Sequence, residues 1–252
     1  MKFIGVLHLP PLPGAVRDGP GFEAILDGAM RDAAVLAMGG ADGLIVENLG
    51  DAPFTKGTVD PHVAAMLAIV ARELKARFDL EVGVNALRND GVSALGAAAA
   101  GGADFVRINV LSGVMATDQG LIEGDALGVA QYRKRVAPEV KIVADVLVKH
   151  AAPLAPVDLG QVAHDTFHRA GADVLVVTGS GTGQPTDLSQ VATLRSAVPE
   201  APVWVGSGVT GDTIAEVATL ADGVIVGTWL HRDSDLAAPL DITRVRAIAA
   251  RP

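Results

Sequence analysis

The residues of this chain that could do chemistry are not scattered. His8, Glu47, Asn48, Asn85, Arg107, Asn109, Asp145, Lys149 and His150 each lie at or just past the end of a short apolar run. Burying charged or amide groups in such runs is costly unless they are paired or used. Their common placement predicts one polar pocket ringed by strand ends. There, Asp145 or Glu47 could act as general acid or base, since a carboxylate between apolar walls can have its pKa raised into a useful range. Arg107 and Lys149 would stabilise developing negative charge. His8, Asn48, Asn85, Asn109 and His150 would bind and orient the substrate. Strand alternation puts Arg107 and Asn109 on one face, and Asp145, Leu147 and Lys149 on one face of the next strand. Arg107, Asp145 and Lys149 then meet, either as a substrate clamp or as an ion-pair network bracing the strand ends. Lys149 could trap a carbonyl as a Schiff base, but an ion pair with Asp145 is the simpler reading.

A second group is built from glycine. Gly179-Ser180-Gly181-Thr182-Gly183, Gly206-Ser207-Gly208-Val209 and Gly227-Thr228 follow three successive apolar runs. Glycine lets backbone N–H groups approach an anion, and helix N-termini favour negative charge. A phosphate held by Ser180, Gly181, Gly206, Ser207, Gly208, Gly227 and Thr228 is the expectation; the bland alternative is glycine for tight turns alone. His8, Glu47, Asp145 and His150 offer oxygen and nitrogen ligands, but no two form a close metal motif. No cofactor is required on this reading, and a divalent metal stays open. His62, His164, His168 and His231 read as surface or helix residues.

These residues need a scaffold that gathers strand ends. Strand-like runs fall at about 3–8, 43–48, 81–86, 104–109, 140–147, 173–178, 202–206 and 223–227. Helical patterns fall at about 22–38, 60–78, 91–100, 125–136, 158–170, 187–197, 211–219 and 241–250. Eight strands each followed by a helix predict an α/β fold, a single (β/α)₈ TIM barrel over 1–252. The phrase Gly-Ala-Asp or Ala-Asp recurs at Asp42, Asp104, Asp173 and Asp222, opening every second strand. Those aspartates fall at the barrel end opposite the expected site and read as structural.

Half the residues are hydrophobic, only 4% aromatic, and none is cysteine, which excludes disulfides and cysteine-ligated metals. A net charge of −9 without a basic cluster argues against nucleic acid as the main partner. The N-terminal run contains His8 and ends at Pro10-Pro11, so it reads as a first strand rather than an export signal. No stretch is long enough to span a bilayer, and a cytoplasmic protein is expected. Helices 22–38, 60–78 and 91–100 carry few charges, which predicts a homo-oligomer unless loops cover them. The connection 110–124 is either an ordered lid carrying Asp118 and Glu123 to the substrate, or a fixed loop packed on its neighbour.

Gly5-Val6-Leu7-His8-Leu9-Pro10-Pro11-Leu12-Pro13-Gly14 and Ile45-Val46-Glu47-Asn48-Leu49-Gly50-Asp51 resemble the BtpA/SgcQ family. So do Gly83-Val84-Asn85-Ala86-Leu87-Arg88-Asn89-Asp90, Val106-Arg107-Ile108-Asn109, Thr117-Asp118-Gln119-Gly120, Asp145-Val146-Leu147-Val148-Lys149-His150 and Gly206-Ser207-Gly208. The resemblance covers nearly the whole chain. It implies a TIM-type barrel and a founding role in photosystem I biogenesis or stability, with other members beside metabolic genes; no settled reaction comes with it. Gln184 stands where the resemblance expects a basic residue. Two functions follow. One is an isomerase, lyase or glycosidic-bond-cleaving enzyme acting on a phosphorylated sugar or nucleotide-like molecule. The other is a non-catalytic assembly factor that uses the barrel as a binding module.

Overall fold

The apolar runs do pair as a closed parallel barrel. The computed structural model describes residues 1–179 and 186–250. Its strands are β1 (Lys2–His8), β2 (Gly43–Glu47), β3 (Glu81–Asn85), β4 (Phe105–Ile108), β5 (Val114–Thr117) and β6 (Gly120–Glu123). They continue with β7 (Lys141–Asp145), β8 (Ala151–Pro153), β9 (Val174–Val177), β10 (Val203–Val205) and β11 (Gly223–Val226). The barrel runs β1-β2-β3-β4-β7-β9-β10-β11 and closes where Lys2 of β1 meets Gly223 of β11. Around it lie α1 (Phe22–Gly39), α2 (Pro61–Arg77), α3 (Gly91–Gly101), α4 (Ala126–Val136), α5 (Leu159–His164), α6 (Leu188–Ala197), α7 (Ile214–Val217) and α8 (Ile242–Ala249). The main apolar core fills the layer between strands and helices. A smaller core of nine residues, among them Ile4, Ile45, Phe105, Val143, Trp204 and Ile225, fills the barrel interior.

The four aspartates have one shared structural task. Each opens a strand and turns a carboxylate oxygen back onto the first rungs of the strand before it. Asp42 Oδ2 accepts the Phe3 N–H at 2.7 Å, and Asp104 Oδ2 accepts that of Val82 at 2.7 Å. Asp173 Oδ2 accepts that of Ile142 at 2.7 Å, and Asp222 Oδ2 that of Val203 at 2.9 Å. The aspartate N–H groups return the favour to the carbonyls of the same four residues. Both strand starts are thereby satisfied without water.

Three elements differ from expectation. The helix expected over 211–219 shrinks to α7, because Thr210 and Thr213 bond each other and hold a non-helical turn first. The helix expected over 158–170 is α5 followed by a π-turn at Asp165–Arg169. The connection 110–124 is not irregular: β5 and β6 form an antiparallel hairpin, and β8, from the loop after β7, pairs with β5. Met115 and Ile122 from that sheet pack with Val110 and Val148 in a core of their own. In this structure the connection packs on the neighbouring loop.

The low charge of α3 has an intramolecular cause. It is wedged between α2 and α4, with Gly101 against the backbone at Ala68 and Ala97 and Ala98 buried. No helix of the described residues is long and apolar enough to cross a membrane.

If the aspartate clamps are structural, Asp104→Ala strands the buried Val82 N–H and should cost about 1–3 kcal/mol in urea unfolding. Ligand binding at the far end of the barrel should not change. A loss below about 0.5 kcal/mol, the ordinary surface range, would show that the clamp is dispensable.

Candidate active site

Along a barrel strand every second side chain points inward. Carrying that alternation upward from the inner apolar core reaches His8, Glu47, Asn85, Arg107, Asn109, Asp145 and Thr178. On the last two strands it reaches Gly206 and Gly227 instead. The sequence thus places polar side chains on six neighbouring strand ends and vacates two. A β-carbon on Gly227 would strike the His8 ring, and one on Gly206 would strike Val176 and Thr178. Only glycine fits there.

His8, Glu47 and Asn85 stand in register across β1, β2 and β3. Asn85 Nδ2 donates to Glu47 Oε2 at 3.3 Å, and His8 Nε2 lies 3.4 Å from Glu47 Oε1. Opposite them, Arg107 grips Asp145 with two parallel bonds, Nε to Oδ1 and Nη2 to Oδ2, each 3.0 Å. Asn109 Nδ2 adds a third bond to Asp145 Oδ2 at 2.9 Å. The pair is nearly sealed, with side-chain exposures of 3% and 0%. Among the described residues, two polar atoms in this ring, His8 Nδ1 and Asn109 Oδ1, are buried without a hydrogen-bond partner.

Charge in the ring is unequal. Burial pushes the Glu47 carboxyl up, but His8, Lys149 and Arg107, with the Asn85 hydrogen bond, outweigh it and hold the group below its ordinary value. Burial lowers His8 to about 4, against the opposing pull of Glu47. Burial thus favours the neutral imidazole at His8, and the neighbouring Lys149 and Arg107 cations favour the carboxylate at Glu47. Burial, joined by Arg107 and Arg88, also pulls the Lys149 ammonium below its ordinary value, against Glu47 and Asp145.

Two connected hollows open above this ring. One, of about 210 Å³, is bounded by Gly206, Ser207, Gly208, Gly227, Thr228, Thr210, Trp229 and His8. The other, of about 440 Å³, is bounded by Asn85, Asn109, Arg88, Asp118, His150 and Phe54. Glu47, Arg107 and Lys149 border both. A hollow of about 600 Å³ lies at the opposite end, under Phe105 and Trp204. Its polar rim, including Asp104, Asp222, Lys2 and Glu81, is spent on clamps and ion pairs, which leaves the two-lobed cavity as the candidate site.

Most expected site residues converge, with exceptions. Asp145 is not a free acid or base, because Arg107 and Asn109 occupy both its oxygens. Lys149 is not its ion-pair partner: among the described residues its ammonium has no carboxylate within ion-pair distance. Asn48 is spent on the loop, donating to Asp51 at 2.9 Å and accepting from Leu87 N at 2.8 Å. The hairpin holds Asp118 at the mouth, but Glu123 faces a separate hollow beside α4. Ser180 and Gly181 lie outside the described residues. The sequence reading gave no site role to two groups that the structure brings here. Arg88 is buried, lines the larger lobe and donates from Nη2 to the Lys149 carbonyl at 2.7 Å. His231 is buried, not at the surface, with its ring 6.0 Å from that of His8. Its Nδ1 lies 2.6 Å from the Ala238 carbonyl. A carbonyl only accepts, so His231 carries its proton there. Among the described residues no three His, Asp or Glu side chains are placed to share a metal ion.

Fold and site together define a (β/α)₈ barrel with a two-lobed polar cavity at the C-terminal ends of its strands. The chain belongs to the BtpA family, whose model matches residues 1–251. It is 44% identical over 244 residues to the photosystem I biogenesis protein BtpA of Synechocystis, spanning 97% of this chain and 85% of that protein. Solved structures share the fold at low identity. The phosphoribosyl anthranilate isomerase of Thermus thermophilus superposes with a TM-score of 0.59 at 13% identity, covering 100% of this chain and 98% of the other. That of Pyrococcus furiosus gives 0.58 at 12%, covering 99% and 97%.

The low pKa of His8 predicts a specific pH dependence. The unfolded chain takes up this proton near its ordinary value of 6.5, whereas the native chain resists until about 4. Unfolding therefore binds a proton in that window, and stability falls as pH drops through it. The full loss is roughly 3 kcal/mol. His8→Gln should flatten the dependence of Tm between those values. Parallel curves for the two proteins would refute a neutral, buried His8.

Proposed function

We propose that this chain is an enzyme acting on a phosphorylated sugar or nucleotide-like molecule by acid–base chemistry at the C-terminal end of the barrel. The observation that carries the reading is the division of the cavity. One lobe is walled by glycine backbone and hydroxyls, the other by amides and charged groups, and Glu47, Arg107 and Lys149 border both. Loops after the last two strands of such barrels commonly hold phosphate. A phosphate among Ser207, Gly208 and Thr228 would set the rest of the substrate over Asn85 and Asn109. Glu47, ionised and buried, is the group free to take a proton; Asp145 holds Arg107 in place. Arg107 and Lys149 offset charge that develops on the substrate. Asn85 and Asn109, which line the larger lobe, would orient its hydroxyls. The structural likeness to phosphoribosyl anthranilate isomerases, whose names carry a phosphorylated sugar, supports the substrate class. The chemistry draws on the chain's own groups and requires no cofactor, and it suits a cytoplasmic, self-associating enzyme.

The similarity to a photosystem I biogenesis protein favours a second reading, a non-catalytic factor. The outer face of the rim sheet carries exposed Leu121, and Leu154 just beyond β8 is also exposed. Turnover of a panel of phosphosugars and nucleotides separates the two. Under the enzyme reading, Glu47→Gln should lower kcat/KM by about 100-fold or more while binding persists. Asp145→Asn should instead cost about 3–5 kcal/mol of stability by leaving Arg107 buried and unpaired. Thr228→Glu should remove the preference for phosphorylated over dephosphorylated compounds. No turnover on any of the panel, with partner binding unaffected by these changes, would support the factor.

A further inference from the structure

We infer that Lys149 is a nucleophile that forms an imine with the carbonyl of its substrate. This rests on the phosphate reading above and narrows it to phosphomonoesters bearing a free aldehyde or ketone. Four features of the chain support it. Lys149 borders both lobes of the cavity, where a phosphate would join the carbon skeleton attached to it. Among the described residues it has neither an ion pair nor a hydrogen bond, although Glu47 and Asp145 are near enough to influence it. Neither carboxylate pairs with it: Asp145 is gripped by Arg107 and Asn109, while Glu47 takes one bond of 3.3 Å from Asn85 and has His8 beside it. A lysine meant as a structural cation would not stand unpaired next to them.

The backbone supplies the third feature. The Lys149 N–H donates to Thr178 Oγ1 at 3.0 Å, and its carbonyl accepts from Arg88 Nη2 at 2.7 Å. Leu147 and His150 on either side hold φ values of 57° and 56°, a left-handed conformation that side chains rarely adopt. Such conformations persist only where the surroundings enforce them. The result is a lysine whose main chain is fixed where the residue borders the cavity. The fourth feature is electrostatic. Burial and the facing Arg107 and Arg88 guanidinium groups ease the loss of the ammonium proton, with Glu47 and Asp145 opposing. Desolvation and adjacent cations are the usual means of activating a lysine.

The step balances without a redox partner. The neutral amine attacks the carbonyl carbon, a C–N bond forms, and the carbonyl oxygen takes the proton. Loss of that oxygen as water leaves C=N. Glu47 can carry the protons between amine and departing hydroxyl. The protonated imine then draws electrons from the neighbouring carbon, which serves isomerisation or aldol-type cleavage but not scission of a glycoside. Pyridoxal 5′-phosphate, an aldehyde with a phosphate, is a direct probe when followed by borohydride. Peptide mass spectrometry should find the reduced adduct on Lys149 at about tenfold lower reagent than on exposed Lys56 and Lys134. Inorganic phosphate should compete, and pyridoxal without the phosphate should label weakly. Lys149→Arg keeps the charge, so it should keep phosphate binding, read by thermal shift, and lose the adduct. Labelling of Lys149 no faster than of Lys134, with phosphate still shifting Tm, overturns the imine and leaves the phosphate reading standing. Equal labelling by both aldehydes, with no competition by phosphate, overturns the phosphate reading and leaves a reactive lysine.

Discussion

Two opposite charges buried side by side at the top of the barrel set the terms for everything around them. Arg107 and Asp145 sit on adjacent strands and are almost wholly excluded from water. Removing ions from water costs several kcal/mol each, and the interior repays this only when every lone pair and proton is matched. The bidentate grip and the added Asn109 bond come close to that match. One consequence is that the Asp145 carboxylate is committed. Another is that the charges left bordering both lobes, beside Arg107, are Glu47 and Lys149, with Arg88 and Asp118 on the larger lobe alone. The pair also seams β4 to β7 just where their main-chain ladder ends.

Above that seam the chain builds a second, smaller layer. The hairpin β5–β6 arises from the connection after β4, and β8 arises from the one after β7. Joining the two loops into one sheet over its own apolar core converts flexible connections into a rim. The rim carries Asp118 and His150 at the mouth, and it fixes the short path from Asp145 to Ala151 that contains Lys149. Positive φ at Leu147 and His150 is the backbone cost of making that path so short. The site's precision thus comes from two sheets, one closed and one open, that share the segment after β7.

Much of this was legible because barrel strands obey a period of two. Glu47, Asn85, Arg107 and Asp145 are conspicuous as polar residues ending apolar runs, and the inner alternation then dictates where they point. The glycine phrases near 206 and 227 were equally plain. The repeated Asp motif announced both strand starts and the end of the barrel it belongs to. The rest depended on geometry that spacing does not encode. Lys149 seemed to follow Asp145 by alternation, but the left-handed turn at Leu147 ends that pattern and separates the two. Arg88 lies beyond the end of β3, in a loop whose direction no periodicity governs. His231 looked like a surface residue, because its burial depends on an isolated bridge to Leu240 and on the neighbouring ring of His8. The hairpin did leave a signal, a polar Thr-Asp-Gln-Gly turn between apolar pairs, with Gly120 at a φ of 99°.

The aspartate clamps divide the barrel in a way the finished ring conceals. Each joins residues 39, 22, 31 or 19 positions apart, always within one strand–helix–strand segment and never between segments. The protein is thus four self-fastened quarters in succession. Every quarter can align its own two strands while the others are still unmade, since the entropy of closing such short spans is modest. Only the seam between β1 and β11 demands that the two chain ends find each other. A nascent chain could therefore secure its strand registers in the order in which they are synthesised, with ring closure as the one step that must await the final quarter.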